Sequence, residues 1–451
     1  MAKKILIACS NYFPHSFGGT EIYVENYTKF LFKQGIESYI ITATPQEYFT
    51  DENTIYVDGT IKVCKYIHSN TIVFGLSYQK KIDTELIYSK HNPIYTDSWE
   101  HFISQNKELA SLDLLHINSS TATIGLNLFE TIIKLNTGVK VITSYHTPIS
   151  CPKGTLVYKN TLTECNISPD PIVCTDCLLR AQDQLPYSIT RYINKLNLSG
   201  KKIPSVFRSR YLVRLEIQSF QYLKKITSEW WCYSEGIKNI LKINGIQDSN
   251  IKMFRHGINE IFPQQNIEKS LDKTIYLFSG RLVKIKGINT LLEAWLKTPL
   301  QERKQLWITA TPQSDNSEIN NLVQQAVLRK DICFLGEKNQ KDIAELYAQA
   351  HVVVIPSECF EIGPLVFHEA IACNCLVIAS NIGGNKELSE FYAPQAETFE
   401  AGNANELAKV IQRGFTKIGS VRKPISFKEH FEDMLAKSKI YQALTVHHPL
   451  P

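Results

Sequence analysis

Both halves of this 451-residue chain alternate short, β-branched apolar runs with amphipathic segments. The runs of the first half are KKILIACS, SYIITAT, DLLHINS and KVITSYH, and those of the second half are TIYLFSGR, QLWITAT, ICFLG, AHVVVIP and LVIAS. Strands that alternate with helices form a parallel sheet covered by helices. Because a chain of this length exceeds one ordinary core, the pattern predicts an α/β fold with two doubly wound, Rossmann-like domains that face a central cleft.

Two local signals predict the domain boundaries. FPQQNIEKSLDK has the composition of a linker, which places an N-terminal domain at 1–262 and a second domain at 263–425. Ser426 and Glu429 have the spacing of a capping box, which opens a final helix within 426–451. We expect this helix to pack back on the N-terminal domain.

The composition is typical of a soluble globular protein, since 43% of the residues are hydrophobic and 21% are charged. The longest apolar runs, such as HVVVIPS, are shorter than the roughly 18–20 residues that a membrane span needs. MAKKILIA is predicted to be a first strand rather than a signal peptide, because its apolar part ends at Ser10. We therefore expect a cytoplasmic protein with reduced thiols.

The segment 178–225 is strongly basic, with ten Lys or Arg residues against two acidic ones, and aromatic residues are interleaved with them. Such a segment attracts a phosphate-rich surface, either anionic lipid or nucleic acid. A solvated helical face is an equally good interpretation. Because no nucleic-acid fingerprint accompanies the segment, we favour peripheral contact with an anionic membrane and expect no nucleic-acid binding.

Two motifs have the chemistry of phosphate binding. Gly18 and Gly19 lie between the first strand and a predicted helix that begins at Glu21, so the backbone can approach an anion at the helix N-terminus. A tight strand–helix turn would use the same glycines. Arg281 and Lys286, in SGRLVKIKGI after a strand, are two cations that suit a diphosphate, although surface cations are the commoner outcome.

The run PSECFEIGPLVFHEAIACNCL places Glu361 and Glu369 in an apolar segment, where a bare charge is costly. The Gly-Pro pair at 363–364 predicts a helix that starts at Pro364. Glu361 then lies in the loop before the helix and Glu369 in its second turn. The amides of Leu365 and Val366 belong to the helix start, which is a ready anion site.

Four of the eleven cysteines cluster after His146: Cys151, Cys165, Cys174 and Cys177. Four thiolates are a tetrahedral ligand set for a structural zinc ion, although this spacing is irregular for a zinc ribbon. Two disulfides or free thiols are the alternatives. The other seven cysteines are predicted to fill apolar strands and helices.

These motifs occur in a characteristic order along the chain: FPHSFGGTE, SYHTP, GRLVKIKG, and PSECFE with Glu369 eight residues after Glu361. In this order they resemble the retaining glycosyltransferases of family 4 (glycosyl transferases group 1), which have the GT-B fold. WCYSEGIKNIL, MFRHGIN and ASNIGGNKEL extend the resemblance. It is weakest at 47–110 and 178–225, where such enzymes shape their acceptor sites.

The resemblance implies which residues bind the nucleotide. Gly18 and Gly19 would close over the donor diphosphate from the N-terminal, acceptor-side domain. Arg281 and Lys286 would neutralise the leaving nucleotide in place of the metal ion that other glycosyltransferases use. The segment 333–338 would flank the base.

It also implies how the sugar is held. Glu369 would bind the nucleotide ribose and Glu361 the hydroxyls of the donor sugar. The Leu365 and Val366 amides would line the donor phosphate or sugar, and His146 would face the transferred sugar as a catalytic residue beside Glu361.

The implied activity is transfer of a sugar, with retained anomeric configuration, from a UDP- or GDP-sugar to a hydroxyl of a lipid-linked or polysaccharide acceptor. No metal cofactor is required for such catalysis. The alternatives are a catalytically silent sugar-nucleotide binder that acts as a partner subunit, or a nucleotide-sugar epimerase.

Two positions depart from the family pattern. Asn374 stands where the family often has glycine, and asparagine tolerates the left-handed conformation that such a turn needs. Ile362-Gly363 replaces a small residue followed by phenylalanine, which leaves the identity of the donor sugar open.

Overall fold

The computed structural model describes residues 3–79, 96–120, 124–158, 161–180, 187–196, 198–199, 203–262, 269, 272–300, 302–414 and 422–445. Contacts divide the chain into two compact units. Unit 1 comprises Met1–Gly154, Asn166–Phe254 and Phe431–Pro451, and unit 2 comprises Thr155–Cys165 and Arg255–His430. This division falls eight residues before the boundary predicted after residue 262, and it groups Phe431–Pro451, most of the predicted C-terminal segment 426–451, with unit 1.

The strands in chain order are β1 (Lys4–Cys9), β2 (Glu37–Ala43), β3 (Thr54–Val57), β4 (Ile61–His68), β5 (Thr71–Tyr78), β6 (Leu114–Ile117), β7 (Lys140–Ser144), β8 (Val157–Tyr158), β9 (Thr163–Glu164), β10 (Glu229–Cys232), β11 (Ile251–Met253), β12 (Thr274–Phe278), β13 (Lys304–Ile308), β14 (Ile332–Phe334), β15 (Val352–Ile355), β16 (Leu376–Ser380) and β17 (Ala396–Phe399).

The helices are α1 (Gly19–Lys33), α2 (Thr96–Gln105), α3 (Leu126–Leu135), α4 (Pro171–Arg180), α5 (Tyr187–Ile193), α6 (Ser205–Ile226), α7 (Glu235–Ile243), α8 (Ile288–Lys297), α9 (Ser317–Val327), α10 (Gln340–Gln349), α11 (Leu365–Ala372), α12 (Gly383–Phe391), α13 (Ala404–Arg413), α14 (Phe427–Lys437) and α15 (Lys439–Thr445).

The sheet of unit 1 has the strand order β11-β10-β7-β6-β1-β2-β5-β4-β3 among the described residues. All pairs from β11 to β5 are parallel, and β5-β4-β3 form an antiparallel extension at one edge. The four strands predicted in the first half are β1, β2, β6 and β7, which are consecutive in the sheet in the order β7-β6-β1-β2. The predicted parallel core of this half is therefore confirmed.

Unit 2 has a sheet of order β14-β13-β12-β15-β16-β17, in which every pair is parallel. Its five predicted strands are β12 to β16. Apolar side chains of β12, β13 and α8, including the fully buried Leu291, form one core cluster on the sheet. A second cluster contains Tyr347 of α10 and Phe367 of α11. The helices are thus anchored on the sheet and hold the loops between them in place.

Local signals at two helix ends are also confirmed. Glu429 accepts hydrogen bonds from Ser426, and the Glu429 backbone N–H donates to the Ser426 hydroxyl at 3.2 Å, so the capping box forms at the start of α14. Asn374, after α11, has a φ of 54°, which is the left-handed conformation expected of it. No helix among the described residues is long and apolar enough to cross a membrane.

Candidate functional site

The candidate site of unit 2 is built from three loops that leave the same edge of its sheet. Because β12, β15 and β16 are parallel neighbours, the loops that follow them emerge at their shared carboxyl ends. The first loop carries Arg281 and Lys286, the second carries Glu361, and the third leads into Gly383 and Gly384 at the start of α12. The sheet therefore brings together motifs that are up to about one hundred residues apart.

Gly287 allows the first two loops to meet. Its φ is +68°, and a Cβ atom at this position would overlap the Pro356 carbonyl oxygen. Beside it, the Glu358 backbone N–H donates to the Ile285 carbonyl at 3.0 Å. Any side chain at Gly287 would push the loops apart, so this glycine sets the position of Lys286.

Lys286 and Glu361 form an ion pair at this junction. The Nζ–Oε1 distance is 2.7 Å, and the Ser357 hydroxyl donates to the same oxygen at 2.7 Å. The side chain of Glu361 is 13% exposed and that of Lys286 is 34% exposed. The Glu361 carboxylate raises the pKa of Lys286. Burial raises the pKa of Glu361, but Lys286 and Ser357 outweigh it, so the pKa lies below its ordinary value. Both groups are therefore charged near neutral pH.

Arg281 adds a second positive charge at this edge of the sheet. Its side chain is exposed, and its charge partly opposes protonation of Lys286.

The segment 333–338, predicted to flank the base, lies only partly after its strand. Cys333 lies within β14 and accepts a hydrogen bond from Gln305 at 3.0 Å, so only residues 335–338 follow the strand.

Sequence reasoning missed the contribution of Gly383 and Gly384. The Gly384 N–H donates to the Glu361 carbonyl at 2.6 Å, and a Cβ atom on Gly384 would lie 2.6 Å from that oxygen. Gly383 has a φ of 56° and faces the ring of Phe360. Two adjacent glycines at a strand-to-helix junction are a signal that could have identified this turn.

The helix after Glu361 begins one residue later than predicted. Pro364 is the N-cap of α11, with a ψ of 119°, and Leu365 is the first helical residue. Leu365 and Val366 are half-buried at the start of this helix. Their amides thus belong to the end of α11 that favours an anion, as predicted.

Glu369 lies in the second turn of α11 and is 7% exposed. Burial raises its pKa to about 7. The hydroxyl of the buried Tyr347 approaches the carboxyl group and partly counters this increase, although it makes no hydrogen bond of good geometry. Glu369 is therefore balanced between its neutral and charged forms at physiological pH.

Glu358, the third carboxylate of the run, has structural partners. Its Oε1 accepts hydrogen bonds from Asn289 at 2.9 Å and from Thr290 at 2.6 Å, both in the first turn of α8. These bonds fasten the loop after β15 to α8.

The glycines of the first motif lie in unit 1. Gly18 is the N-cap of α1 and Gly19 its first residue. The carboxylate of Glu21 folds back over this turn, where it accepts a hydrogen bond from Ser16 at 2.8 Å and would lie 2.5 Å from a Cβ atom on Gly18. A phosphate at this helix end would be repelled by Glu21, so the local geometry gives no support to the predicted phosphate contact.

His146 also lies in unit 1, two residues after the end of β7, and is half-buried. Its ring stacks on Tyr233 at a centroid distance of 4.5 Å and contacts Tyr23 at 4.6 Å. Burial lowers the pKa of the neighbouring His116, and the charge of His146 lowers it further. The aromatic packing fixes the orientation of His146 within this unit.

The predicted zinc site consists of four cysteines that follow His146 in sequence. The structure describes Cys151, Cys165, Cys174 and Cys177, yet no group of three or more His, Cys, Asp or Glu side chains among the described residues is placed to hold a metal ion. The structural zinc stays a prediction.

The basic segment 178–225 contains α6, whose cations differ in exposure. Arg208 is 2% exposed and its Nε donates to the Ile203 carbonyl at 2.8 Å. Arg210 donates to the Asn194 carbonyl at 3.1 Å. Arg208 is thus buried, whereas Arg214 and Lys225 of the same helix are exposed.

A comparison with known proteins finds a family model that matches the part of the chain that carries the candidate site. Residues 259–417, which include β12 to α13, match the model of the family described as glycosyl transferases group 1. Over 187 residues the chain is 29% identical to an uncharacterized glycosyltransferase of Methanocaldococcus jannaschii, covering 38% of this chain and 47% of that protein. The chain spans between a third and a half of the length of the curated relatives it matches.

Solved structures are similar along most of the chain. Sucrose-phosphate synthase from Thermosynechococcus elongatus aligns with a TM-score of 0.58 at 19% identity, covering 91% of this chain and 89% of that one. Anabaena HepE in complex with UDP-glucose aligns with a TM-score of 0.54 at 14% identity, covering 98% of this chain and 94% of that one. At these identities the likeness shows the fold, which is that of the GT-B glycosyltransferases.

Proposed function

We propose that this protein is a retaining glycosyltransferase that moves a sugar from a nucleoside-diphosphate sugar to a hydroxyl acceptor. The observation that carries the proposal is the ion pair between Lys286 and Glu361, which lies at the carboxyl edge of the sheet within the residues that match the group 1 family. In this pair, the ammonium group of Lys286 would bind a phosphate and the carboxylate of Glu361 would bind sugar hydroxyls.

The diphosphate of the donor would bind Lys286, Arg281 and the first amides of α11. An ammonium group has three donors, and Glu361 uses one of those of Lys286. Because Glu361 neutralises Lys286, the exposed Arg281 supplies the net positive charge. These fixed charges would stabilise the leaving diphosphate by preorganised electrostatics, which makes a metal ion unnecessary.

The ribose would bind Glu369 and the donor sugar Glu361. A carboxylate accepts two hydroxyl donors readily, whereas a phosphate beside it would be repelled. UDP is our first choice of nucleotide, because Anabaena HepE, which shares the fold, was solved with UDP-glucose. GDP-sugars remain the second choice.

Chemically, the acceptor hydroxyl would attack the anomeric carbon on the face from which the diphosphate leaves, so that the configuration is retained. The bond to the leaving oxygen breaks as the new glycosidic bond forms, and the acceptor proton passes to the departing phosphate. No covalent nucleophile is assigned. His146 remains the predicted residue at the transferred sugar, as the resemblance implies.

The acceptor we propose is a lipid-linked or polysaccharide glycan, reached through peripheral contact with an anionic membrane. The solvent-facing cations of α6 support this contact, and Arg214 and Lys225 are exposed. Replacing both with glutamine should reduce cosedimentation with vesicles that contain anionic lipid, and the loss should shrink at high salt. Binding that is unchanged in the double variant would argue against membrane contact through α6.

Turnover tests the whole proposal. The protein is incubated with UDP-glucose or GDP-mannose, EDTA and a glycan or lipid extract, and the anomeric coupling of the product is measured by NMR. We expect nucleotide release that depends on the extract and an α-linked product from these donors. Conversion of the sugar of UDP-glucose into an epimer without acceptor would indicate an epimerase. Binding of the donor without any turnover would indicate a silent partner subunit.

A further inference from the structure

A short hairpin within the cysteine-rich segment packs on unit 2. Strands β8 and β9 pair antiparallel, with Val157 opposite Glu164 and Tyr158 opposite Thr163. By its contacts the segment Thr155–Cys165 belongs to unit 2, although the residues before and after it in sequence belong to unit 1. The chain therefore makes an excursion of eleven residues to reach this position.

Both ends of the hairpin contact the loops around Glu361. At the first end, the Phe360 N–H donates to the Thr155 carbonyl at 3.0 Å. At the second end, the Gly383 N–H donates to the Glu164 carboxylate at 2.9 Å. Phe360 directly precedes Glu361 in sequence, and Gly383 directly precedes the glycine whose N–H binds the Glu361 carbonyl.

Glu164 acts as the capping residue that α12 lacks. The N-cap of α12 is Ile382, whose side chain can accept no hydrogen bond. The Gly383 N–H is one of the unpaired donors at a helix start, and a carboxylate is a strong partner there because of the helix dipole. A glutamate 219 residues away in sequence fills this place.

Close contacts on both glycines restrict movement of the turn that Glu164 caps. Gly383 has a φ of 56° and its Cα lies against the ring of Phe360, while the Gly384 N–H is 2.6 Å from the Glu361 carbonyl. Movement of this turn would move the Glu361 backbone, and with it the carboxylate that pairs with Lys286.

We propose that the described part of the hairpin, residues 155–158 and 161–165, is a specificity element of the donor-sugar subsite, in which Glu164 is a positioning residue that fixes the Glu361 loop through Gly383 and Gly384. The inference rests on the proposed function for the identity of the ligand. Because the hairpin contacts the loop of Glu361, the residue proposed to bind the donor sugar, we expect it to affect binding of the sugar more than binding of the nucleotide.

The test compares Glu164→Ala, which removes the acceptor, with Glu164→Gln, which keeps an oxygen acceptor without the charge. Glu345→Gln is the matched control, since Glu345 is exposed on α10 of the same unit. Amide hydrogen exchange of donor-free protein is measured over 358–362 and 381–386, together with the melting temperature. We expect exchange to accelerate about tenfold in the alanine variant and less in the glutamine variant. Unchanged exchange in Glu164→Ala would overturn the proposal.

Calorimetric titration with UDP and with UDP-glucose gives the second readout. Glu164→Ala should weaken UDP-glucose binding about tenfold and leave UDP binding within about twofold, with Glu164→Gln between it and the wild type. Equal weakening of both ligands would show a general structural role and refute the specificity claim. Tighter binding of both would show instead that Glu164 occupies the place of a donor phosphate. Because exchange is measured without donor, failure of the hairpin's role is seen separately from failure of the proposed function.

Discussion

Replacing Glu369 with glutamine should change how the stability of the protein depends on pH. Glu369 is buried, and its pKa in the folded protein is raised from 4.5 to about 7. Between these two values the folded state holds a proton that the unfolded state has lost, so the stability of the wild type falls as pH rises through this window. Glutamine is neutral at every pH and does not suffer this loss.

The size of this change in stability follows from the increase in the pKa of Glu369. An increase of about 2.5 pKa units corresponds to about 3 kcal/mol, at roughly 1.4 kcal/mol per unit. Relative to the wild type, Glu369→Gln should therefore gain up to about 3 kcal/mol of unfolding free energy between pH 4.5 and pH 8.

The measurement is urea denaturation of both proteins at intervals from pH 4.5 to pH 8, followed by a signal from the C-terminal tryptophans, of which Trp295 is buried in unit 2. Glu345→Gln, at an exposed site, is the control and should parallel the wild type. A constant difference between Glu369→Gln and the wild type at all pH values would refute the reasoning, because it would mean that Glu369 is not protonated by burial.

Two further substitutions test how the loops are assembled. Lys286→Ala leaves the carboxylate of Glu361 without its ion partner. Urea denaturation should show a loss of about 3 kcal/mol of unfolding free energy at pH 7 and a smaller loss at pH 4. Equal losses at both pH values would contradict a charged pair. Gly287→Ala should cost roughly 2–4 kcal/mol, because a Cβ atom would overlap the Pro356 carbonyl and φ is +68°. Gly336→Ala is its control, since φ is +72° but the space around it is open, and it should cost about 1 kcal/mol.

Much of the architecture follows from the sequence because parallel strands buried on both faces have a strong signature. All nine predicted runs became strands, and their order brought Arg281 and Lys286 beside Glu361 through adjacency of β12 and β15. The antiparallel extension was missed, although Asp58-Gly59 and Ser69-Asn70 are hairpin signals. Ser69 and Asn70 both have positive φ values, 48° and 65°, as a two-residue hairpin turn requires.

Other features depend on tertiary packing that no local pattern encodes. Glu21 is an ordinary first-turn acid in sequence, and only the fold shows that it covers the glycine turn where a phosphate was expected. Arg208 is one of the ten cations of the basic segment 178–225, yet it is buried on α6. The bond between Glu164 and Gly383 joins residues of different sequence halves, so neither residue reveals it alone.

The most direct test of the central claim is calorimetric titration of the wild type, Lys286→Ala and Glu361→Gln with UDP, UDP-glucose and GDP-mannose in the presence of EDTA. We predict that one sugar nucleotide binds the wild type without metal, that Lys286→Ala weakens it at least tenfold, and that Glu361→Gln weakens the sugar nucleotide more than the free nucleotide. Equal affinity of all three proteins would contradict the account, because the ion pair at the edge of the sheet would then have no part in donor binding.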